Sequence, residues 1–282
     1  MTDNPYRIEG PAIISFSGGR SSGYMLKHII DAWSGALPDD VKVCFANTGK
    51  EHLLTLDFVR DCEEHWPVKI HWLEWQPGEH GQRWREVDHA TASRDGEPYK
   101  ALIRQKQYLP NPVTRFCTIE LKIRVMRDFC RSLGWEHWTN IIGLRADEPR
   151  RVSKALAPGR KERWENAAPL ARGGITKKDV IEWWGRQNFG LALANVNGST
   201  PLGNCDLCFL KSAKTIQRIM AEQPELARWW IEAEAEAWPG KPSGRRFRID
   251  RPSYAEMLKA VQDQRPFDFG EQDTLTECMC HD

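Results

Sequence analysis

Short apolar runs alternate with helical patterns along the first third of the chain. Apolar residues dominate 12–16, 41–46 and 68–73, and these runs have the length of buried strands. Between them, apolar residues recur every three or four positions in 21–33 and 53–64, which predicts amphipathic helices. Strands and helices that alternate at this interval are typical of βαβ units. We therefore expect a doubly wound α/β fold, in which helices cover both faces of a parallel sheet.

Beyond residue 75 the pattern becomes less regular. Gly, Pro and charged residues accumulate in 76–112, which predicts a long functional loop with short helices. The segment 150–165 is dense in Arg and Lys, and we expect it to be mobile. Periodic segments predict a strand at 138–144 and helices at 121–133, 176–187, 213–220 and 224–238. A linker at 198–203 predicts an α/β domain at residues 1–200 and a helical, cysteine-bearing extension at residues 201–282.

The composition narrows the class of protein. Of 282 residues, 40% are apolar, which suffices for the core of one large domain or of a domain with an appendage. The 40 Lys and Arg residues nearly balance the 39 Asp and Glu residues, so a nucleic-acid partner would have to bind a local basic patch. No apolar run has the length of a membrane span, and residues 1–10 lack the core of a signal peptide. We expect a cytoplasmic protein without a membrane partner, and a homo-oligomer stays open.

The first predicted strand ends in a loop whose sequence suits an anion. Glycines let the backbone approach a phosphate closely, and the free amides and dipole of a helix start favour negative charge. The alternative is an ordinary βα turn with a serine N-cap. Ligands bind outside the carboxyl ends of such strands, which favours the functional interpretation. The predicted nucleotide-binding residues are Ser15, Ser17, Gly18, Gly19, Arg20, Ser21 and Ser22.

This loop resembles the Ser-Gly-Gly-x-Asp-Ser pyrophosphate loop of the adenine nucleotide α-hydrolase superfamily, with Ser21 in place of Asp. That superfamily includes ATP pyrophosphatases and the reductases of phosphoadenylyl sulfate (PAPS) and adenylyl sulfate (APS). Three more segments follow in the order found in PAPS reductases. Asn47-Thr48-Gly49 with Glu51 and Thr55 resembles an element that lies beside the nucleotide. Residues 143–150 resemble the G-x-R-x-x-E-S motif, with Pro149 in place of Ser, and residues 166–170 resemble the N-P-L segment. The resemblance implies nucleotide contacts at Asn47, Thr48, Gly49, Glu51 and Gly143, and a sulfate grip at Arg145 and Arg150.

The cysteines supply candidate metal ligands, since disulfides are rare in the cytoplasm. Cys205 and Cys208 form a C-x-x-C pair that places two thiolates on one turn. In APS reductases a cysteine pair and a distant C-x-x-C hold a 4Fe–4S cluster. Cys117 matches one position of that pair, and Phe116 takes the other. The resemblance implies Cys117, Cys205 and Cys208 as cluster ligands. The fourth ligand stays open between Cys280, Cys278, a substrate atom and none, and zinc is the alternative to the cluster.

The last residues resemble the C-terminal E-C-G-[LI]-H motif of PAPS and APS reductases, with Met279 and Cys280 as departures. In those enzymes the cysteine attacks the sulfate sulfur and becomes an S-sulfocysteine. The resemblance implies Cys278 as the nucleophile and His281 as its catalytic neighbour. A Cys-x-Cys tail that closes over the cluster as a ligand is the alternative.

Three hypotheses about function follow. The first is a PAPS/APS-reductase-like enzyme that reduces the sulfate ester of an adenine nucleotide to sulfite, with a thioredoxin-like protein as its reductant. The second is an ATP-dependent sulfurtransferase that thiolates tRNA or DNA, which the surplus of arginines favours. The third is a nucleotide-binding regulator without turnover. The sequence leaves open which of APS, PAPS and ATP is bound.

Overall fold

The computed structural model describes residues 4–157, 162–196, 198–236 and 244–263. Within these residues, six strands form one sheet in the order β4-β3-β2-β1-β5-β6. All neighbouring strands pair in parallel except β3 and β4, which are antiparallel. The strands are β1 (Ala12–Ser15), β2 (Val41–Asn47), β3 (Ile70–Trp75), β4 (Trp84–Val87), β5 (Trp138–Ile141) and β6 (Trp164–Ala167).

Helices connect and flank these strands. Those of the first half are α1 (Arg20–Ala32), α2 (Leu53–His65), α3 (Glu97–Lys106), α4 (Phe116–Thr118) and α5 (Val125–Ser132), with a π-helical segment (Ile119–Arg124) joining the last two. Those of the second half are α6 (Pro149–Leu156), α7 (Pro169–Arg172), α8 (Lys177–Trp184), α9 (Ala213–Glu222), α10 (Ala227–Ala235) and α11 (Tyr254–Gln262), with a 3₁₀ turn (Pro224–Leu226) before α10.

The predicted fold class, a doubly wound α/β sheet, is confirmed. From β1 the chain builds outward through β2 and β3, and it then returns to the other side of β1 with β5 and β6. The strand order therefore reverses between β1 and β5. In open α/β sheets, a ligand crevice forms at such a reversal, outside the carboxyl ends of the strands. Ser15 and Ile141 end the two strands at this point.

The buried side chains of the sheet and of the C-terminal extension form one hydrophobic cluster. Trp230 of α10 stacks on Tyr254 of α11, with ring centroids 5.2 Å apart, and both rings are almost fully buried. Phe209 stacks on Phe247 at 5.7 Å in the same region. The predicted boundary at residue 200 separates the sheet from these helices along the chain, and their cores are continuous.

Two segments contain strands that were not expected. The segment 76–112, predicted as a loop with short helices, contains the helix α3 and also the strand β4. The segment 150–165, predicted to be mobile, overlaps α6 and β6, with 158–161 outside the described residues. Both strands lie at the edges of the sheet and bury little, so their sequences lack an apolar run. Helix α11 was also missed, although Ser253 and Glu256 form a capping box at its start. No helix among the described residues is long and apolar enough to span a membrane.

Candidate functional site

The loop between β1 and α1 has a conformation that its glycines require. Gly18 has φ +75°, and a Cβ atom there would lie 2.7 Å from Cγ2 of Thr55. Gly19 is extended at φ −98°. The Ser22 hydroxyl accepts the Ser17 and Gly19 amides at 3.3 Å and donates to the Gly19 carbonyl at 3.0 Å. Ser22 is fully buried, so its hydroxyl fixes the shape of the loop.

A cavity of about 630 Å³ opens beside this loop, and we call it the cationic cavity. Ser17, Gly18, Gly19 and Ser21 form part of its wall. The described part of the cavity lining contains one carboxylate, that of Glu148, and seven cationic side chains. These are Arg20, Arg145, Arg151, Lys177, Lys211, Lys214 and Arg218. This charge distribution suits a multiply charged anion.

Arg145 and Arg151 are held in place by a shared carboxylate. Glu148 pairs with Arg151 and, at 3.3 Å, with Arg145. Arg145 Nη1 also donates to Ser21 Oγ at 2.8 Å, so this guanidinium lies beside the loop. Arg150 is exposed and lines neither this cavity nor the one described below. Successive residues of a helix point about 100° apart, so Arg151 faces the site and its predicted neighbour does not.

The Arg20 side chain holds together the segments that form the wall of the cavity. Its guanidinium donates to the carbonyls of Leu191 and Leu193 at 2.7 Å and to Thr200 Oγ1 at 2.8 Å. The irregular segment that follows α8 is thereby tied to the phosphate loop. Arg20 was predicted to bind the nucleotide, and its side chain is occupied by these three bonds.

A second cavity of about 320 Å³ lies next to the carboxyl ends of β1 and β5, and we call it the amide cavity. Ser15 Oγ donates to Asn140 Oδ1 at 2.6 Å, and Asn140 Nδ2 donates to Asn166 Oδ1 at 2.9 Å. These residues belong to three adjacent strands and form a polar row. The rest of the lining combines apolar side chains with the cations Arg115, Lys122, Arg127 and Arg151. Trp138 and Trp164, stacked with centroids 5.4 Å apart, close one side. Ser17 and Arg151 line both cavities.

The turn after β2 occupies the equivalent place beside the phosphate loop but is closed. Asn47 is fully buried and donates to Glu74 Oε1 at 2.7 Å and to the Ser93 carbonyl at 2.9 Å. Glu51 accepts the Thr48 amide and hydroxyl, both at 2.8 Å. None of the four predicted residues in this turn, Asn47, Thr48, Gly49 and Glu51, lines either cavity. Gly143 is also buried and lines neither one.

The C-x-x-C segment is what closes this turn. Cys205 forms a β-bridge with Glu51, and the Asp206 amide donates to the Lys50 carbonyl at 2.8 Å. Lys50 Nζ and Asp206 Oδ2 form a buried ion pair at 2.9 Å. Trp230 Nε1 donates to Asp206 Oδ1 at 2.7 Å, which joins α10 to the same carboxylate. No sequence pattern indicates this contact between the two segments.

Three of the four predicted metal ligands converge on one buried tyrosine. Burial raises the pKa of Tyr99 well above its usual value, and negative charge on Cys117, Cys205 and Cys208 raises this pKa further. Cys117 also hydrogen-bonds to the tyrosine hydroxyl. Within the described residues, no three His, Cys, Asp or Glu side chains form a group that could hold a single metal ion. Cys278, Cys280 and His281 lie outside the described residues.

The chain is similar to proteins of two Escherichia phages. No family model matches it. It is 31% identical over 228 residues to the nin region protein ORF290 of Escherichia phage lambda, described as uncharacterized, and the match covers 78% of this chain and 73% of that protein. The chain belongs to the family of that protein. It is also 26% identical over 261 residues to an uncharacterized 37.8 kDa protein of Escherichia phage 186, covering 77% of this chain and 73% of the relative.

One solved structure is similar at a low level. A crystal structure of PAPS reductase from Candida auris, in complex with phosphate, has a TM-score of 0.39 and 15% identity to this chain. The match covers 69% of this chain and 91% of the reductase. A likeness of this size carries no argument about the site.

Asn140 of the amide cavity was not predicted from the sequence, because a polar residue inside a short strand gives no sign of its partners. Thr55 and Asn166 belong to segments that resemble those of PAPS reductases, but neither was assigned a contact. Thr55 lines the cationic cavity, is 2% exposed, and its Oγ1 has no hydrogen-bond partner within the described residues. For the cations on and just before α9 a sequence signal did exist, because Lys211, Lys214 and Arg218 recur at helical spacing.

Proposed function

We propose that the chain is an enzyme that binds an adenine nucleotide across the two cavities. The phosphates would meet the loop amides and the guanidiniums of Arg145 and Arg151 in the cationic cavity. The base would enter the amide cavity, where the row from Ser15 to Asn166 offers hydrogen bonds and apolar side chains cover the ring. The observation that carries this proposal is that the two cavities are adjacent, since Ser17 and Arg151 line both. One lining is rich in cations that suit phosphates, and the other combines the amide row with apolar side chains that suit a base.

The chemistry we propose is reduction of the sulfate ester of that nucleotide. Arg145 and Arg151 would orient the sulfate, since a guanidinium forks onto two oxygens of such a group. The Cys278 thiolate would attack sulfur, the bond from sulfur to the nucleotide phosphate oxygen would break, and the nucleotide would leave with the electron pair. The resulting S-sulfocysteine would release sulfite when a thioredoxin-like dithiol attacks the Cys278 sulfur. The resulting mixed disulfide would then be resolved by the second thiol of the reductant.

Sulfur ligands suit both zinc and iron, and the C-x-x-C pair together with Cys117 resembles the cluster ligands of APS reductases. The thiols of Cys117, Cys205 and Cys208 all act on the pKa of Tyr99, and Cys117 hydrogen-bonds to its hydroxyl. We propose that Cys117, Cys205 and Cys208 hold a 4Fe–4S cluster, with Cys280 as the candidate fourth ligand. Such a cluster supplies a redox-active centre when bound.

Iron analysis tests the cluster directly. Protein purified without oxygen should be brown and should contain iron and inorganic sulfide. Cys205→Ala should remove both, whereas Cys62→Ala, which changes a buried helix thiol away from Tyr99, should keep them. Stoichiometric zinc without iron in the anaerobic protein would disprove the cluster.

A second candidate function is ATP-dependent sulfur transfer, in which an acceptor is adenylated and pyrophosphate is released. The observation that favours it is the position of Cys208, which lines the cationic cavity together with the phosphate loop. A thiol there would stand beside the activated acceptor. This function requires no tail cysteine.

Intact-protein mass spectrometry separates the two functions. After exposure to APS or PAPS, a reductase should carry one sulfonate, which reduced thioredoxin removes and which Cys278→Ser lacks. A sulfurtransferase should stay unmodified by both esters and should release pyrophosphate from ATP when its acceptor is present. Calorimetry with each nucleotide provides the control for binding. Nucleotide binding without any adduct or pyrophosphate release would contradict both enzyme proposals and would favour the regulator hypothesis.

A further inference from the structure

The cationic cavity carries positive charge on two helices besides the charge beside the phosphate loop. Lys177 begins α8, and Lys214 and Arg218 lie on α9. Within the described residues, Lys177 and Lys214 have no hydrogen bond or ion pair from their side chains. The carboxylate of this lining, Glu148, is already engaged by two arginines. Positive charge on these helices is therefore left without an internal partner.

The arrangement on α9 is unfavourable unless an anion binds there. Lys214 and Arg218 are four residues apart, so their side chains share one helix face, and like charges at this spacing destabilise a helix. Arg218 is partly compensated by Glu222 at 3.0 Å, in a pair exposed to solvent. Among the described residues of the cavity lining, the one carboxylate is that of Glu148, which pairs with Arg145 and Arg151 and not with Lys214.

Exposure indicates the kind of anion. Lys214 and Arg218 are exposed although they line the cavity, so they stand at its mouth, and the ligand they contact must extend to the surface. Four residues of helix rise about 6 Å. That rise is comparable to the separation of successive phosphates in an extended nucleic-acid strand. A compact anion, by contrast, would be gripped by groups inside the cavity.

The lining contains no Phe, Trp or Tyr among the described residues, so the mouth offers no platform on which a base could stack. Contacts would go to phosphates alone, which position a strand without reading its sequence. We propose that Lys177, Lys214 and Arg218 bind the phosphodiester backbone of a single nucleic-acid strand at the mouth of the cationic cavity. The inference rests on the proposed function only in that both use this cavity, and it names the class of the second ligand.

Fluorescence anisotropy with labelled 20-nucleotide DNA and RNA strands of the same mixed sequence tests this inference. Binding should weaken steeply with salt, because each phosphate contact releases counterions. The double variant Lys214→Glu, Arg218→Glu should bind at least about tenfold more weakly, with a shallower salt dependence. The control is Lys69→Glu, Arg228→Glu, which changes the net charge equally at two exposed positions that line neither cavity. It should bind almost as tightly as the unchanged protein.

The two strands distinguish the source of the backbone, since equal affinities indicate recognition of phosphates and a preference for RNA indicates a contact to the 2′-hydroxyl. Equal losses in the α9 variant and the control would contradict the inference, as would absence of binding to both strands. If PAPS affinity falls in the α9 variant while neither strand binds, the site takes a small anion and the inference is wrong. Gly19→Val separates the inference from the proposed function. That variant should lose nucleotide affinity and keep strand affinity.

Discussion

Two turns at the carboxyl edge of the sheet occupy equivalent positions, but one is open to a cavity and the other is covered by a distant segment. The loop after β1 and the turn after β2 each join a strand to a helix, and each carries a glycine with positive φ, Gly18 and Gly49. The first opens onto the cationic cavity, whereas the second is closed by the C-x-x-C segment. Both resemble nucleotide-binding elements in sequence. The difference shows that packing from a distant segment decides whether such a turn can meet a ligand.

The polar groups of the two turns have different partners. In the β2 turn, the Glu51 carboxylate accepts a backbone amide and the Asp206 carboxylate pairs with the Lys50 ammonium, so both are bonded within the protein. In the β1 loop, the Ser22 hydroxyl holds the shape at 3.3 Å while Ser21 and Arg145 stay at the cavity wall. One turn therefore stabilises the extension, and the other is left for an anion. Each prediction below alters one side of this contrast.

The largest effect is expected from Asp206→Ala. This change leaves Lys50 buried without its partner and removes the acceptor of Trp230, so unfolding free energy should fall by about 3–5 kcal/mol. Urea denaturation measures the loss. Lys178→Ala, in an exposed pair with Glu182, should cost less than about 0.5 kcal/mol. If Asp206→Ala does not fold, Asp206→Asn keeps a polar acceptor and should show a smaller loss. Unchanged stability in both variants would mean that the β2 turn is not held by this segment.

Gly19→Val should have the next largest effect, this time on binding. Gly19 is extended, so a branched side chain fits the backbone but blocks the approach of a phosphate. We expect nucleotide affinity to fall about 100-fold, near 2.7 kcal/mol, with unchanged unfolding. The control Gly185→Val places the same side chain where a Cβ atom meets nothing closer than 3.5 Å. Equal affinities of the two variants in calorimetry would show that the loop is only a turn.

Arg151→Gln and Arg150→Gln form a matched pair on α6. Arg151 lines both cavities, and a hydrogen bond to a charged group contributes about 1.5–3 kcal/mol, so its loss should weaken nucleotide binding at least about tenfold. Arg150 is exposed, and its loss should change affinity less than about twofold. A larger loss of affinity in Arg150→Gln than in Arg151→Gln would show that Arg150, and not Arg151, contacts the nucleotide.

Thr55→Val should have the smallest effect. The buried Oγ1 atom has no partner within the described residues, so its removal should leave unfolding free energy unchanged or slightly higher. If the hydroxyl contacts a bound phosphate, nucleotide binding should weaken by about 1.5 kcal/mol, the low end of the range for a hydrogen bond to a charged group. A stability loss of the same size, with unchanged affinity, would assign this hydroxyl a structural role.

The sequence predicted those parts of the fold that follow from local patterns. The buried strands β1, β2 and β3 were predicted from their apolar runs. Thr176 and Asp179 form the predicted capping box at the start of α8. Edge strands β4 and β6 were missed because exposed strands carry no such run. The loop residues 17–21 were placed at a cavity because strand–glycine–helix order is itself a local signal.

The rest of the site depends on contacts between residues far apart in the chain. The Lys50–Asp206 pair and the Ser15–Asn140 bond span separations that no spacing rule covers. Choosing between Arg150 and Arg151 required the start of α6, which begins at Pro149. Element boundaries vary by a residue or two in sequence reasoning, and one residue suffices to turn a side chain away from a cavity.

Amide hydrogen exchange with and without bound nucleotide tests the contrast between the two turns most directly. The account predicts that ATP, APS or PAPS, whichever binds, slows exchange of the amides at 17–22 and leaves those at 47–51 unchanged. Peptides from both turns are read in the same spectra, so each turn serves as the control for the other. Slower exchange at 47–51 without any change at 17–22, at saturating nucleotide, would contradict it.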